Sequence, residues 1–168
     1  MNTNFFRVMT IVAIVLFTTV SCSTPEEASI ESVEVVEFYD YNESEDETLN
    51  LINKYRDSIG LTVLEKINHI SYKSSQHTEY MVQTNIIGHD NFAERQSNLH
   101  TALGALKVGE NVAFNYSSPK SAMKAWLKSE SHKANLDGDY THFGISIREN
   151  EVGQKFYTNI FIKIFWSS

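Results

Sequence analysis

Three short motifs in the second half of the chain carry histidine or acidic residues, and about twenty residues separate each one from the next. They contain His89 in residues 88–92 (GHDNF), Glu110 in residues 109–112 (GENV) and His132 in residues 126–136 (WLKSESHKANL). Two neutral imidazoles and one carboxylate are ligands that suit zinc-like divalent cations. His89, Glu110 and His132 are therefore the first candidates for residues that carry chemistry.

Each of these residues also has a structural interpretation. His89 can cap the preceding helix, Glu110 can accept backbone N–H bonds at the entrance to a strand, and His132 can lie in a surface turn. Weaker candidates for a functional role are His77 on a long predicted helix, Glu130 in the third motif and His142 in front of a strand. Packing on the helix face is the alternative for His77. The sequence leaves both kinds of role open.

The sequence lacks the catalytic motifs that would indicate an enzyme. The chain contains no Gly-x-Ser-x-Gly elbow and no His-Glu-x-x-His helix. Ser129 and Ser131 lie close to His132 in sequence, but no third group is evident that would orient the histidine. A hydrolase would instead need a metal-bound water with Glu110 or Glu130 as general base. No catalytic residue is therefore assigned.

The elements that must position these motifs follow from the apolar spacing. One helix is expected from Leu49 to Ile59, a long helix from Leu64 to about Asn85, and a third helix beginning at Pro119. Strands are expected at residues 108–116, 143–148 and 156–165, with a hairpin turn at 149–155. The last strand is apolar on both faces, which is typical of a central strand. The order of elements predicts an α+β sandwich.

The amino terminus has the features of an export signal. Arg7 precedes an apolar run of about thirteen residues from Val8 to Val20, too short for a spanning helix. Thr19, Val20 and Ser21 lead into Cys22 and resemble a bacterial lipobox, which predicts cleavage before Cys22 and attachment of diacylglycerol. An ordinary signal peptide is the main alternative, and a permanent transmembrane anchor is the weaker one. Cys22 is the only cysteine, so if it is lipidated the mature protein has no free thiol, which excludes a disulfide framework and a cysteine nucleophile.

The net charge of −7 comes from one segment. Residues 26–47 carry ten acidic side chains and no lysine or arginine, which predicts a solvated tether. The expected organisation is a lipoprotein signal peptide at 1–21, a lipidated cysteine and acidic tether at 22–47, and a folded domain at 48–168. That domain carries 13 basic and 11 acidic residues, so its charge predicts no nucleic-acid partner.

The ordered set of motifs resembles the CAP superfamily, which includes cysteine-rich secretory proteins, antigen 5 and plant pathogenesis-related proteins of class 1. Residues 51–64 (LINKYRDSIGLTVL) and 77–81 (HTEYM) look like bacterial members, and residues 141–146 (THFGIS) continue the match. The resemblance covers about residues 48–166. It implies an α-β-α sandwich around a central, mainly antiparallel sheet.

The resemblance also implies a cleft over that sheet, lined by His89, Glu110 and His132 and able to hold a divalent cation. The sequence departs from the family pattern at two places, and both reduce the number of possible metal ligands. Ser129 stands where eukaryotic members usually have a second glutamate, and Glu130-Ser131 stand where bacterial members commonly have Pro-Gly. A complete set of four ligands is therefore not expected.

These observations predict a membrane-anchored lipoprotein exported to the cell envelope, with one CAP domain acting as a binding module. The ligand is expected to be a divalent cation, a lipid-like molecule or an envelope polymer. A metal-dependent hydrolase or peptidase is one alternative. A structural or interaction domain without a ligand is the other.

Overall fold

The computed structural model describes residues 34–165. Its helices are α1 (Glu43–Ser58), α2 (Asn68–Thr84), α3 (Phe92–Leu103), α4 (Pro119–Lys128) and α5 (Glu130–Leu136). Its strands are β1 (Glu65–Lys66), β2 (Lys107–Phe114), β3 (His142–Glu149) and β4 (Lys155–Lys163). The predicted export signal and the lipidation site at Cys22 lie outside the described residues. Between residues 34 and 165, no helix is long and apolar enough to cross a bilayer.

The strands form one sheet in the order β1-β3-β4-β2. β4 pairs antiparallel with both β2 and β3, and only the short β1 runs parallel to its neighbour β3. The predicted α+β class and the mainly antiparallel sheet are therefore confirmed. β4 is a central strand, as its two apolar faces predict.

Helices cover both faces of the sheet. On one face, α1, α4 and α5 contribute Leu49, Ile52, Trp126 and Leu136 to a core that includes Phe143, Tyr157 and Phe161 of the strands. On the other face, Ile70 of α2 and Leu99 of α3 pack with Ile160 and Ile162. The result is the predicted three-layer α-β-α sandwich.

Helix α2 lies very close to the sheet at Gly144. A Cβ atom built on Gly144 would lie 2.4 Å from the backbone nitrogen of Ser71, so only glycine allows this approach. Gly144 and Glu110 are both Cα partners of Ile160, which places them on the same face of the sheet. The face covered by α2 is therefore the face that carries Glu110, and His77 on α2 can meet it.

Three elements were not predicted from the sequence: β1, α3 and α5. The long helix begins at Asn68 and not at Leu64, because residues 65–66 pair with β3. The predicted helix at Pro119 and the three predicted strands are present, with ends that differ by one or two residues.

The acidic segment is folded in its last part, so the prediction of a solvated tether as far as residue 47 is wrong there. Helix α1 begins at Glu43, and Asn42 forms a capping box with Glu45. The Glu45 side chain is fully buried and accepts hydrogen bonds from Tyr39, Arg148 and the backbone N–H of Ile147. A buried carboxylate is stable only when it is paired in this way, and no sequence pattern identified these partners.

Candidate functional site

Glu110 is at the centre of a buried polar network on β2. Its side chain is 1% exposed. Oε1 accepts hydrogen bonds from Nδ1 of His89 and Nη2 of Arg95, both at 2.8 Å, and Oε2 accepts from Nε of Arg95 at 2.8 Å. Burial acts to raise the pKa of Glu110, but the hydrogen bonds from His89 and Arg95 outweigh it and hold that pKa below its usual value. The carboxyl group is therefore ionised.

Arg95 comes from α3, an element that was not predicted from the sequence. Its Nη1 donates to the carbonyl oxygen of Asp90 at 2.7 Å, so the guanidinium is fixed between the segment that carries His89 and strand β2. A signal for α3 was present, because Glu94 lies in the first turn and Gly104 takes the left-handed conformation at the C-cap.

His89 is the exposed member of the network. Its side chain is 48% exposed, although Nδ1 is bonded to the buried Glu110. His89 lines two neighbouring cavities of about 270 and 410 Å³. His89 therefore connects the buried carboxylate of Glu110 to these two cavities.

His77 reaches the same network from α2. It is buried, its Nε2 donates to the carbonyl oxygen of Gly88 at 2.8 Å, and the same nitrogen lies 3.9 Å from Oε1 of Glu110. Burial lowers the pKa of His77, although the negative charge of Glu110 acts in the opposite direction. His77 is thus a packed, neutral histidine that ties α2 to the segment before His89.

His132 is placed by amide hydrogen bonds between α5 and β2. Asn111 donates to the carbonyl oxygen of His132 at 3.0 Å, and Asn135 donates to the carbonyl oxygen of Glu110 at 3.1 Å. The His132 Nδ1 lies 2.7 Å from Oγ of Ser129. Burial lowers the pKa of His132, and the proximity of His89 lowers it further.

The larger cavity, of about 410 Å³, has two kinds of wall. One is apolar and includes Val112, Phe114, Tyr116, Ala125 and Trp126; the other is polar and consists of His89, Ser129 and His132. The indole Nε1 of Trp126 donates to the carbonyl oxygen of Val112 at 2.9 Å, which fixes the aromatic ring in the apolar wall. We call this cavity the cleft.

Two weaker candidates lie elsewhere. Glu130 is exposed and does not line the cleft, whereas its neighbour Ser129 does. His142 is buried beside β1, where Nδ1 lies 2.9 Å from Oγ1 of Thr141 and Nε2 lies 3.8 Å from Oε2 of Glu65. The structure therefore brings His77, His89 and Glu110 into contact and places His132 across the cleft. Glu130 and His142 do not belong to this group.

The predicted ligand set of His89, Glu110 and His132 is not arranged to hold a divalent cation. Both oxygens of Glu110 are held by Arg95, whose positive charge opposes a second cation, and the Nε2 proton of His77 is directed at a carbonyl group. Within residues 34–165, no group of three or more His, Cys, Asp or Glu side chains is placed to hold a metal ion. The imidazoles of His89 and His132 are better suited to act as hydrogen-bonding groups of the cleft.

Comparisons with known proteins identify similar sequences and folds. The family model for CAP, the cysteine-rich secretory protein family, matches residues 49–165. A protein of Bacillus subtilis named "Uncharacterized membrane protein YlbC" is 36% identical over 126 residues, which are 71% of this chain and 34% of that protein. The chain therefore spans about a third of the length of this curated relative.

Solved structures agree with this match. An extracellular protein containing a SCP domain from Bacillus anthracis is 26% identical with a TM-score of 0.64, over 72% of this chain and 40% of that chain. An outer surface protein from Borrelia burgdorferi is 18% identical with a TM-score of 0.68, over 76% of this chain and 97% of that chain. At that lower identity the second likeness shows the fold alone.

Proposed function

The chain belongs to the CAP family, the cysteine-rich secretory protein family, and from this premise we propose that it is an exported binding module whose cleft takes an amphipathic ligand of the cell envelope. The ligand's apolar part lies against Phe114 and Trp126. Its polar end meets His89, Ser129 and His132.

The two-sided cleft is the observation that carries this proposal. Its volume of about 410 Å³ falls in the range of about 300–1,000 Å³ that is common for small-molecule sites. Burying a methylene group is favourable by about 0.8 kcal/mol, so a short acyl chain on the apolar wall supplies several kcal/mol. The polar wall then fixes the orientation of the head group.

Binding is favoured over hydrolysis by the state of Glu110. A general base must reach the substrate and have a pKa near the working pH. Glu110 is 1% exposed, both of its oxygens accept hydrogen bonds, and its pKa is below the usual value. The Ser129–His132 pair, in turn, has no third group orienting the histidine among residues 34–165. A ligand-binding role needs neither a base nor a nucleophile.

The proposed location is the outer side of a membrane, with the domain anchored through a lipid on Cys22. The lipobox-like residues before Cys22 support this anchor. The names of the relatives, a membrane protein, an extracellular protein and an outer surface protein, are consistent with it. Glu34 follows Cys22 by twelve residues, which span at most about 40 Å at roughly 3.3 Å per residue. The start of the domain would then be tethered near the membrane that supplies the ligand.

Binding can be measured with the fluorescence of Trp126. The full chain carrying Trp166→Phe keeps Trp126 as its single tryptophan, and 1-decanoylglycerol below its micelle concentration is the probe. We expect a saturable change in emission that is lost in Ala125→Phe, because the larger ring fills the cleft without adding a second tryptophan. The matched control Ala134→Phe, on the exposed side of α5, should bind normally. No saturable change in the parent protein would favour a structural domain without a ligand.

A further inference from the structure

The hydrogen bond between Glu110 and His89 determines where the histidine carries its proton. An ionised carboxylate can only accept hydrogen bonds. The Nδ1 of His89, 2.8 Å from Oε1 of Glu110, must therefore be the donor. In the neutral ring the other nitrogen, Nε2, is then an acceptor.

Arg95 is the group that keeps Glu110 in this state. It donates to both carboxylate oxygens, and its remaining Nη1 is held by the carbonyl oxygen of Asp90. A bidentate arginine pair is strong and geometrically fixed. Because the Arg95 side chain is 8% exposed and that of Glu110 is 1% exposed, water does not weaken the pair. Arg95 thus supplies the permanent positive charge that the resemblance assigns to a metal ion.

The accepting nitrogen of His89 is directed away from this network. Nδ1 is turned to Glu110, the side chain is 48% exposed, and no residue between 34 and 165 hydrogen-bonds to Nε2. His89 also lines the cleft. The Ser129–His132 pair can exchange donor and acceptor roles through its hydroxyl group, so His89 is the group that sets a fixed preference.

We propose that Arg95 and Glu110 act as positioning residues that present Nε2 of His89 as a hydrogen-bond acceptor, so that the cleft selects amphiphiles whose polar end donates a hydrogen bond, as a hydroxyl does. This inference rests on the proposed function and names the chemical class of its ligand. A head group that contains only hydrogen-bond acceptors would face Nε2 with a lone pair, so that no hydrogen bond could form. The lost hydrogen bond is expected to weaken binding about tenfold.

Two matched probes test the ligand class. 1-Decanoylglycerol has two hydroxyl groups, and 1-decanoyl-2,3-di-O-methylglycerol has the same skeleton without a donor. We expect the full chain to bind the hydroxyl probe about tenfold more tightly. In Glu110→Gln, an NH₂ group at the position of Oε1 donates to Nδ1 of His89 and loses the hydrogen bond from Nη2 of Arg95, while the amide oxygen at the position of Oε2 still accepts from Nε of Arg95. The ring proton then moves to Nε2, and the preference should disappear or reverse.

The proton position itself can be observed by ¹⁵N nuclear magnetic resonance of the imidazole at pH 8. We expect the Nδ1–H tautomer of His89 in the parent protein and the Nε2–H tautomer in Glu110→Gln. An Nε2–H tautomer in the parent protein would overturn the positioning role, even if the Gln variant failed to fold. Equal affinity for the two probes would overturn the ligand class. If neither probe bound, the proposed function and its ligand class would both fall, while the tautomer would still decide the role of Arg95 and Glu110.

Discussion

The guanidinium of Arg95 holds both carboxylate oxygens of Glu110, with Nε 2.8 Å from Oε2 and Nη2 2.8 Å from Oε1. This pair joins α3 to β2 beneath His89. The Arg95 side chain supplies both hydrogen bonds and a counter-charge to the carboxylate of Glu110. The charge of Glu110 is therefore compensated within the protein.

Removing the arginine should be costly. Arg95→Met leaves an ionised carboxylate buried without its counter-charge, and the loss of one partner from such a pair typically costs about 3–5 kcal/mol. Urea denaturation of the full chain measures this change in the free energy of unfolding. Lys128→Met, at an exposed position on α4, is the matched control and should change it by about 0.5 kcal/mol or less. Similar losses in both variants would show that the Arg95–Glu110 pair is not a stabilising contact.

Gly144→Ala should separate α2 from the sheet. The new Cβ would lie 2.4 Å from the backbone nitrogen of Ser71, and a backbone atom cannot move aside as a flexible side chain can. We expect a loss of about 1–3 kcal/mol or more in urea denaturation. Gly88→Ala is the control, because its nearest neighbour would be Oδ1 of Asp90 at 3.9 Å. A tolerated Gly144→Ala would contradict the close packing that brings His77 to Glu110.

Stability should fall as the pH is lowered through the range in which histidine titrates. Burial lowers the pKa of His77 from 6.5, so the unfolded chain takes up a proton at a higher pH than the folded chain does. The free energy of unfolding must then decrease as the pH falls below about 6.5. His77→Gln keeps an N–H donor for Gly88 and should make this dependence shallower. An unchanged slope in His77→Gln, from urea denaturation between pH 8 and pH 5, would refute this assignment.

Glu110 should add a second loss of stability at lower pH. Its pKa is held below the usual 4.5, so its contribution is present above that value and disappears as the pH falls through the lower value of the folded state. The two effects occupy different pH ranges, and the same urea series extended to pH 3 separates them.

The proposed membrane anchor depends on Cys22. In a bacterial host that processes lipoproteins, the parent chain should incorporate labelled palmitate and sediment with membranes. Cys22→Ser should lose the label, because cysteine is the lipidated residue. Label that persists in Cys22→Ser would exclude this anchor, and unlabelled parent protein would indicate an ordinary signal peptide.

Much of the fold followed from local patterns. The central position of β4 was predictable because its two faces are both apolar, and α4 was predictable because Pro119 begins a run of buried residues. That His89 and Glu110 line the same cleft was implied by the resemblance to the CAP family. These features depend on residues that are close in sequence or on a resemblance that covers the whole domain.

Long-range partners could not be predicted in the same way. Arg95 lies 15 residues from Glu110, on a helix whose apolar pattern is short, and Glu45 meets Arg148 across 103 residues. The acidic composition around Glu45 predicted a solvated tether. Instead, the tertiary contacts of Glu45 with Arg148 and Ile147 hold this segment in the folded domain. A buried ion pair is specified by both partners together, and neither partner alone carries a signal.

The central claim is that the cleft binds an amphiphile without a metal ion. Isothermal titration calorimetry of 1-decanoylglycerol into the full chain, before and after dialysis against EDTA, tests it most directly. We predict binding at one site with the same affinity in both preparations, and no binding in Ala125→Phe. Binding that disappears after EDTA treatment and returns when zinc is added would contradict the account.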